Sequence, residues 1–161
     1  MNFAVKKMII NSQDSENEAL LQVAKLMIVA ARTAPKAQGE DRIKAAIVTG
    51  KEKDEIATVM EQNGRVRDSK NVKEFNAVVL LGVEFGNPVE DWTNSKAKLI
   101  DLGIAVGSAV KIASELNVDN RVMRSVGEAA LKMGLLKADE ITGIPLSTKG
   151  KSIFFDRKTT S

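Results

Sequence analysis

The sequence predicts a single domain in which helices pack around a buried sheet, and three observations carry that prediction. Leu20, Leu21, Ala24, Met27, Ile28 and Ala31 recur at three- and four-residue spacing, the stripe of an amphipathic helix. Ala77-Val78-Val79-Leu80-Leu81-Gly82-Val83 is a continuous apolar run, which implies a central strand covered on both faces. At 161 residues, with 43% hydrophobic and 28% charged, the chain has the size and composition of one ordinary globular domain, 1–161.

In chain order, Ser15 with Glu18 matches a capping box and opens the first predicted helix. Pro35 pushes its predecessor toward extended geometry, so that helix should end near Thr33 and a loop should follow through Asp41. Ile43 to Thr49 is short, apolar and bounded by Gly50, which suits a strand. Lys51 to Gln62 reads as a helix with Ile56, Val59 and Met60 inward, stopped by Asn63-Gly64. Arg65 to Asn71 is polar and irregular; the strong strand Ala77–Val83 comes next, then a loose stretch from Gly86 to Ser95.

A long helix is expected from about Lys96 to Leu116. Gly103, Ala105, Gly107, Ser108 and Ala109 crowd one part of it. Glycine inside a helix costs about 1 kcal/mol relative to alanine, so two of them four apart point to close helix packing or to a flat ligand. Val118 to Met123 reads as a strand. Ser125 with Glu128 is a second capping box, and Gly134 suits the end of its helix. Ile141 to Arg157 holds Gly143, Pro145 and Gly150; a turn-rich passage is expected there, with Ile153 to Phe155 as a terminal strand.

Composition narrows the chemistry. Without Cys the chain has no disulfide and no thiolate nucleophile or metal ligand. Without His it lacks the usual proton shuttle near neutral pH, and without Tyr the phenolic acid. Redox or transfer chemistry would therefore need a bound cofactor. The net charge of +3 is spread among interleaved acids and bases, with one Trp and five Phe to stack on bases, so no nucleic-acid partner is expected. No apolar run is long enough for a membrane span, and the start resembles no signal peptide; a cytoplasmic protein without membrane partners is expected.

Four constellations stand out. The segment Ala31-Arg32-Thr33-Ala34-Pro35-Lys36-Ala37-Gln38-Gly39 carries two cations and an amide at a helix break. Arg32 and Lys36 suit a phosphate and Gln38 a polar ring edge, or the cations simply complement the helix dipole. Asp119, Arg121 and Arg124 precede a helix start and form either an anion site or a surface ion pair. Lys149-Gly150-Lys151-Ser152 echoes a phosphate loop, but its glycine spacing is wrong. Glu84, Glu90, Asp91 and Asp101 can serve acid–base or metal chemistry, or be solvated charge, which is the expectation; no metal site is expected.

Several of these segments resemble a family of uncharacterised prokaryotic proteins described as containing a ferredoxin domain. The resemblance runs through Ala30-Ala31-Arg32-Thr33-Ala34-Pro35-Lys36-Ala37, Asp101-Leu102-Gly103-Ile104-Ala105-Val106-Gly107-Ser108-Ala109, Asp119-Asn120-Arg121-Val122-Met123, Ile144-Pro145-Leu146 and Ile153-Phe154-Phe155-Asp156-Arg157. Members of that family carry a cysteine-rich segment before the Asp-Leu-Gly-Ile-Ala helix. Here Gly86 to Lys98 has none, so no iron–sulfur cluster is expected.

The order of elements is also distantly similar to the FMN-dependent nitroreductases. That resemblance implies a three-layer α+β fold with a mostly antiparallel central sheet flanked by helices. It also implies a homodimer with FMN at the subunit interface and an NAD(P)H-type donor. Arg32, Thr33, Pro35, Lys36 and Gln38 would then face the flavin, Arg121 and Arg157 would approach it, and Gly103 and Gly107 would allow close packing at the dimer seam. Two features depart from the nitroreductase pattern. Lys6-Lys7 stands where an arginine-rich start is usual, and Gly39-Glu40-Asp41 where an Asn is usual. The alternative is a non-enzymatic ligand-binding or assembly protein that keeps the fold after loss of the cluster segment.

Overall fold

The computed structural model describes residues 9–86, 92–150 and 152, with 92–94 described by backbone alone. Its first helix, α1, spans Ser12–Thr33 and ends where Pro35 requires. It starts three residues earlier than the capping box suggested, because the side chain of Asn11 accepts from the Asp14 amide at 2.8 Å and takes the cap itself. After a 3-10 turn at Ala37–Gly39 come β1 (Ile43–Thr49), α2 (Gly50–Gln62) and α3 (Val66–Glu74). α3 was not expected: only Ser69 and Val72 of its nine residues are buried, too few to leave a periodic signal.

β2 is Ala77–Val83, buried at every position. α4 (Trp92–Glu115), β3 (Asp119–Asn120), α5 (Arg124–Lys132) and β4 (Glu140–Ser147) complete the described elements. The strand expected over Val118 to Met123 shrinks to two residues plus a bridge from Met123 to Gly143. The second capping box is unused, since α5 begins at Arg124 with no side-chain cap. The expected terminal strand at Ile153 to Phe155 lies outside the described residues.

β4 is the main correction. Ile141 to Ser147 was expected to be turn-rich, yet β4 lies inside the sheet, whose order is β1-β2-β4-β3 with every pair antiparallel. Gly143, which reads as a turn residue, fits because α5 presses on this strand, and Pro145 lies in register with Val78 of β2, its carbonyl accepting from the Arg121 amide. A Cβ on Gly143 would collide with Val126, and a Cβ on Gly127 with the Ile141 carbonyl.

Alternation along β2 builds the layers. Ala77, Val79, Leu81 and Val83 face a core shared with α1 and α4, whereas Val78 and Leu80 face one shared with α2, α3 and α5. The result is a three-layer α+β fold with helices on both sides of an antiparallel sheet.

Candidate functional site

Residues of α4 fall on three flanks, since each step along a helix turns it by about 100°. The inner flank carries Leu102, Ala105, Ala109 and Ala113 against Leu20, Val23, Ala24, Met27 and Ala31 of α1. Alanine there lets the two helices approach closely, the task sequence reasoning gave to the neighbouring glycines.

The second flank holds a buried charge cluster. Lys98 is 1% exposed and Asp101 is 3% exposed. Asp101 Oδ1 accepts from the Ala37 amide at 2.8 Å, while Oδ2 has no hydrogen-bond donor and lies 3.7 Å from Lys98 Nζ. Lys98 Nζ is also 3.0 Å from Glu40 Oε2. A hydrogen bond from Arg42, and next the one from Lys98, hold the Glu40 carboxyl below its ordinary pKa. This cluster ties the α1–β1 loop to α4. Asp101, expected to be solvated, is a buried structural acid instead.

Within that loop the predicted ligands are occupied by their own chain. Lys36 Nζ donates to the carbonyls of Arg32 and Ala34, the latter at 2.7 Å, and so caps the C-terminus of α1. Arg32 Nε donates to Asp41 Oδ2 at 2.7 Å, and Thr33 Oγ1 donates to the Val29 carbonyl at 2.9 Å. Pro35 and Gln38 are exposed, with Gln38 in the left-handed region at φ 59°. Asp101 and Gly103 sit about 160° apart around α4, so the loop and the third flank lie on opposite sides of the helix.

That third flank is open. A groove of about 490 Å3 runs between α4 and the exposed part of β4. Leu99, Leu102, Gly103 and Val106 form one wall; Val122, Arg124, Glu140 and Thr142 form the other. A Cβ added to Gly103 or Gly107 would meet nothing within 4 Å, so these glycines serve no packing contact within the described chain. Around them α4 exposes Leu99, Ile100 and Ile104, at 44%, 64% and 40%. Val122 and Arg124 also border a smaller, polar cavity with Arg65, Asp68, Arg121, Met123 and Ser125.

Arg121 therefore stands beside the groove, whereas Arg32, Thr33, Pro35, Lys36 and Gln38 do not. Asp119 keeps a buried Oδ2 without a hydrogen-bond partner. Glu84 is 3.0 Å from Lys44, whose hydrogen bond lowers its pKa. Glu90, Asp91, Lys151 and Arg157 lie outside the described residues. Among the described residues no group of three or more acids is placed to hold a metal ion, and no helix is long and apolar enough to cross a membrane. Sequence reasoning missed Lys98, whose only signal is its spacing from Asp101, and Arg65, which carries none.

Comparison with known proteins places the chain. The model of a family described as "Uncharacterized protein containing a ferredoxin domain" matches residues 93–157. A protein of Archaeoglobus fulgidus described as "Uncharacterized protein" is 36% identical over 180 aligned residues, covering 93% of this chain and 98% of its own. The chain belongs to this family. The alignment is longer than the chain's 161 residues, so the archaeal member carries residues that this one lacks.

Among solved structures, the fold resembles the hypothetical oxidoreductase YcnD of Bacillus subtilis, with TM-score 0.62 and 14% identity over 81% of this chain and 58% of that one. The NADPH:FMN oxidoreductase of Vibrio harveyi, complexed with NAD+, gives 0.60 and 12% over 81% and 60%. A nitroreductase-like family protein of Bacillus cereus gives 0.64 and 9% over 86% and 79%. The chain thus has the nitroreductase-like fold, and spans about three-fifths of the first two of these proteins. The family's ferredoxin label implies an iron–sulfur cluster, which the residues present do not fit, because such clusters are held by thiolates and the chain has no Cys and no His.

Proposed function

We propose that this protein is a flavin-dependent oxidoreductase of nitroreductase type, working as a homodimer with FMN, a nicotinamide donor and a small-molecule acceptor. One observation carries the reading: the groove beside Gly103 is apolar on its α4 wall, polar at its β4 edge, and of a size that suits a small-molecule ligand. A flat ring can lie on Leu99, Gly103 and Val106 because Gly103 has no side chain to lift it. Thr142 supplies a hydroxyl and Arg124 a cation at its edge. The fold likeness to an NADPH:FMN oxidoreductase supports the same cofactor.

Flavin, when bound, supplies the hydride chemistry that this set of side chains lacks. The chain's own residues would position the ring and exclude water. Leu99, Ile100, Gly103, Ile104 and Gly107 form an exposed apolar face that suits a second copy of the chain, which would also roof the groove. Arg32, Thr33, Pro35, Lys36 and Gln38 lie across α4 from the groove, so in this reading they do not line the flavin pocket.

The test is incubation of the purified chain with FMN. Bound flavin colour should persist through gel filtration, and unfolding should be delayed by about 2.7 kcal/mol at a hundredfold excess over Kd. Gly103→Leu, which fills the groove wall from an open position, should abolish both effects. A wild-type chain that neither retains flavin nor gains stability from it would end the proposal. A second reading has one observation behind it: the chain keeps the fold and lacks both the cysteines its family's label implies and part of the length of the archaeal member. A non-enzymatic binding or assembly protein that has lost the cluster segment would look like this, and would fail the FMN test.

A further inference from the structure

The smaller cavity, about 230 Å3, is lined by more cations than anions. Three arginines line it from two parts of the chain: Arg65 from the α2–α3 turn, and Arg121 and Arg124 from the segment that joins β3 to the start of α5. Only one carboxylate, Asp68, lines it with them. Arg124 has a partner in Glu128 at 3.1 Å, but neither Arg65 nor Arg121 lies in an ion pair within 4 Å among the described residues. Arginines drawn together in a concavity repel one another, and that cost is offset when an anion sits between them. Guanidinium is planar and forked, a geometry that matches the paired oxygens of a phosphate.

We infer that this cavity binds a phosphate-class anion, inorganic phosphate or a phosphomonoester, held by Arg65 and Arg121 with Arg124 at the border of the groove. Arg65, which no sequence motif marks, becomes a ligand because the fold brings the α2–α3 turn to the start of α5. The anion site itself stands apart from the flavin reading. Only its source depends on that reading: the shared Val122 and Arg124 border lets a ligand with its ring in the groove place its phosphate here.

Calorimetric titration of the full chain with inorganic phosphate, at ionic strength held constant with chloride, tests the site. Binding should weaken at least tenfold in Arg65→Gln and in Arg121→Gln, and stay unchanged in Arg67→Gln, an exposed arginine outside the cavity. Absence of phosphate binding to the wild type, or binding that neither cavity substitution alters, overturns the inference. Parallel titrations with FMN and riboflavin identify the source. Tighter binding of FMN than of riboflavin, lost in Arg121→Gln, shows that the anion is the flavin's own phosphate. Phosphate binding without flavin binding keeps the anion site and removes the flavin reading.

Discussion

Gly127 and Gly143 at the α5–β4 contact, and Gly103 and Gly107 on the outer side of α4, are the same residue put to opposite uses. At the first contact glycine is required by space, since a Cβ on either residue would overlap the backbone or side chains of the facing element. On α4 a Cβ would meet nothing within 4 Å, although glycine weakens a helix interior by about 1 kcal/mol relative to alanine. In the proposed function, that open face is where the flavin and a second copy of the chain would lie. The comparison separates glycines that build the fold from glycines that leave a surface open.

The largest effect expected from breaking this contrast is at the packed contact. Gly127→Ala should lower stability by about 3 kcal/mol, because the facing group is a strand carbonyl rather than a flexible side chain. Denaturant unfolding would measure it, and a loss below ~1 kcal/mol would show that α5 and β4 can slide apart freely.

On the opposite flank of α4 from the groove, Lys98→Met should cost roughly 2 kcal/mol. It leaves Asp101 buried without its cation, although the half-exposed Glu40 partner moderates the loss. That variant should leave flavin and phosphate binding unchanged, since Lys98, Asp101 and Glu40 line neither cavity.

Gly103→Ala with Gly107→Ala sharpens the comparison in the other direction. The pair should raise the stability of the isolated chain by about 1 kcal/mol or more through helix propensity. The same change should weaken self-association in analytical ultracentrifugation, and a dimer left unaffected would place the partner elsewhere.

The smallest effect is a pH effect. Glu40 has a folded pKa below its ordinary value, so the stability it contributes is fully present above about pH 4.3 and is lost as pH falls through the lowered folded value. Glu40→Gln should therefore lower stability slightly near neutral pH and flatten acid unfolding in that window, so that denaturant unfolding of the variant and the wild type converges at the acid end.

Elements with a strong one-dimensional pattern were legible in the sequence. The stripe from Leu20 to Ala31 gave α1, its end set by Pro35; the apolar run Ala77–Val83 gave β2 and its central place; Ile43–Thr49 gave β1. α3 was hidden because it buries almost nothing. β4 was hidden because Gly143 and Pro145 carry turn character locally, and only pairing with β2, with the close approach of α5 at Gly143, makes them strand residues.

The candidate site divides in the same way. Arg121 was marked by its place before a helix. The commitments of Lys36 to carbonyls of the α1–β1 turn and of Arg32 to Asp41 were not legible, because ion pairs and caps are chosen by geometry rather than spacing. Arg65 was invisible for the same reason.

By itself, then, the sequence determined that helices pack on a buried sheet, that the chain carries no thiol or imidazole side chain, and the segments from which a site can be drawn. Those follow from composition and from periodicity, which a linear chain carries in full. The tertiary structure alone decided which cations are spent on internal partners, which glycines are crowded and which are open, and which arginines share a cavity. Each of those depends on distances between residues far apart in the chain, and only the packed layers fix such distances.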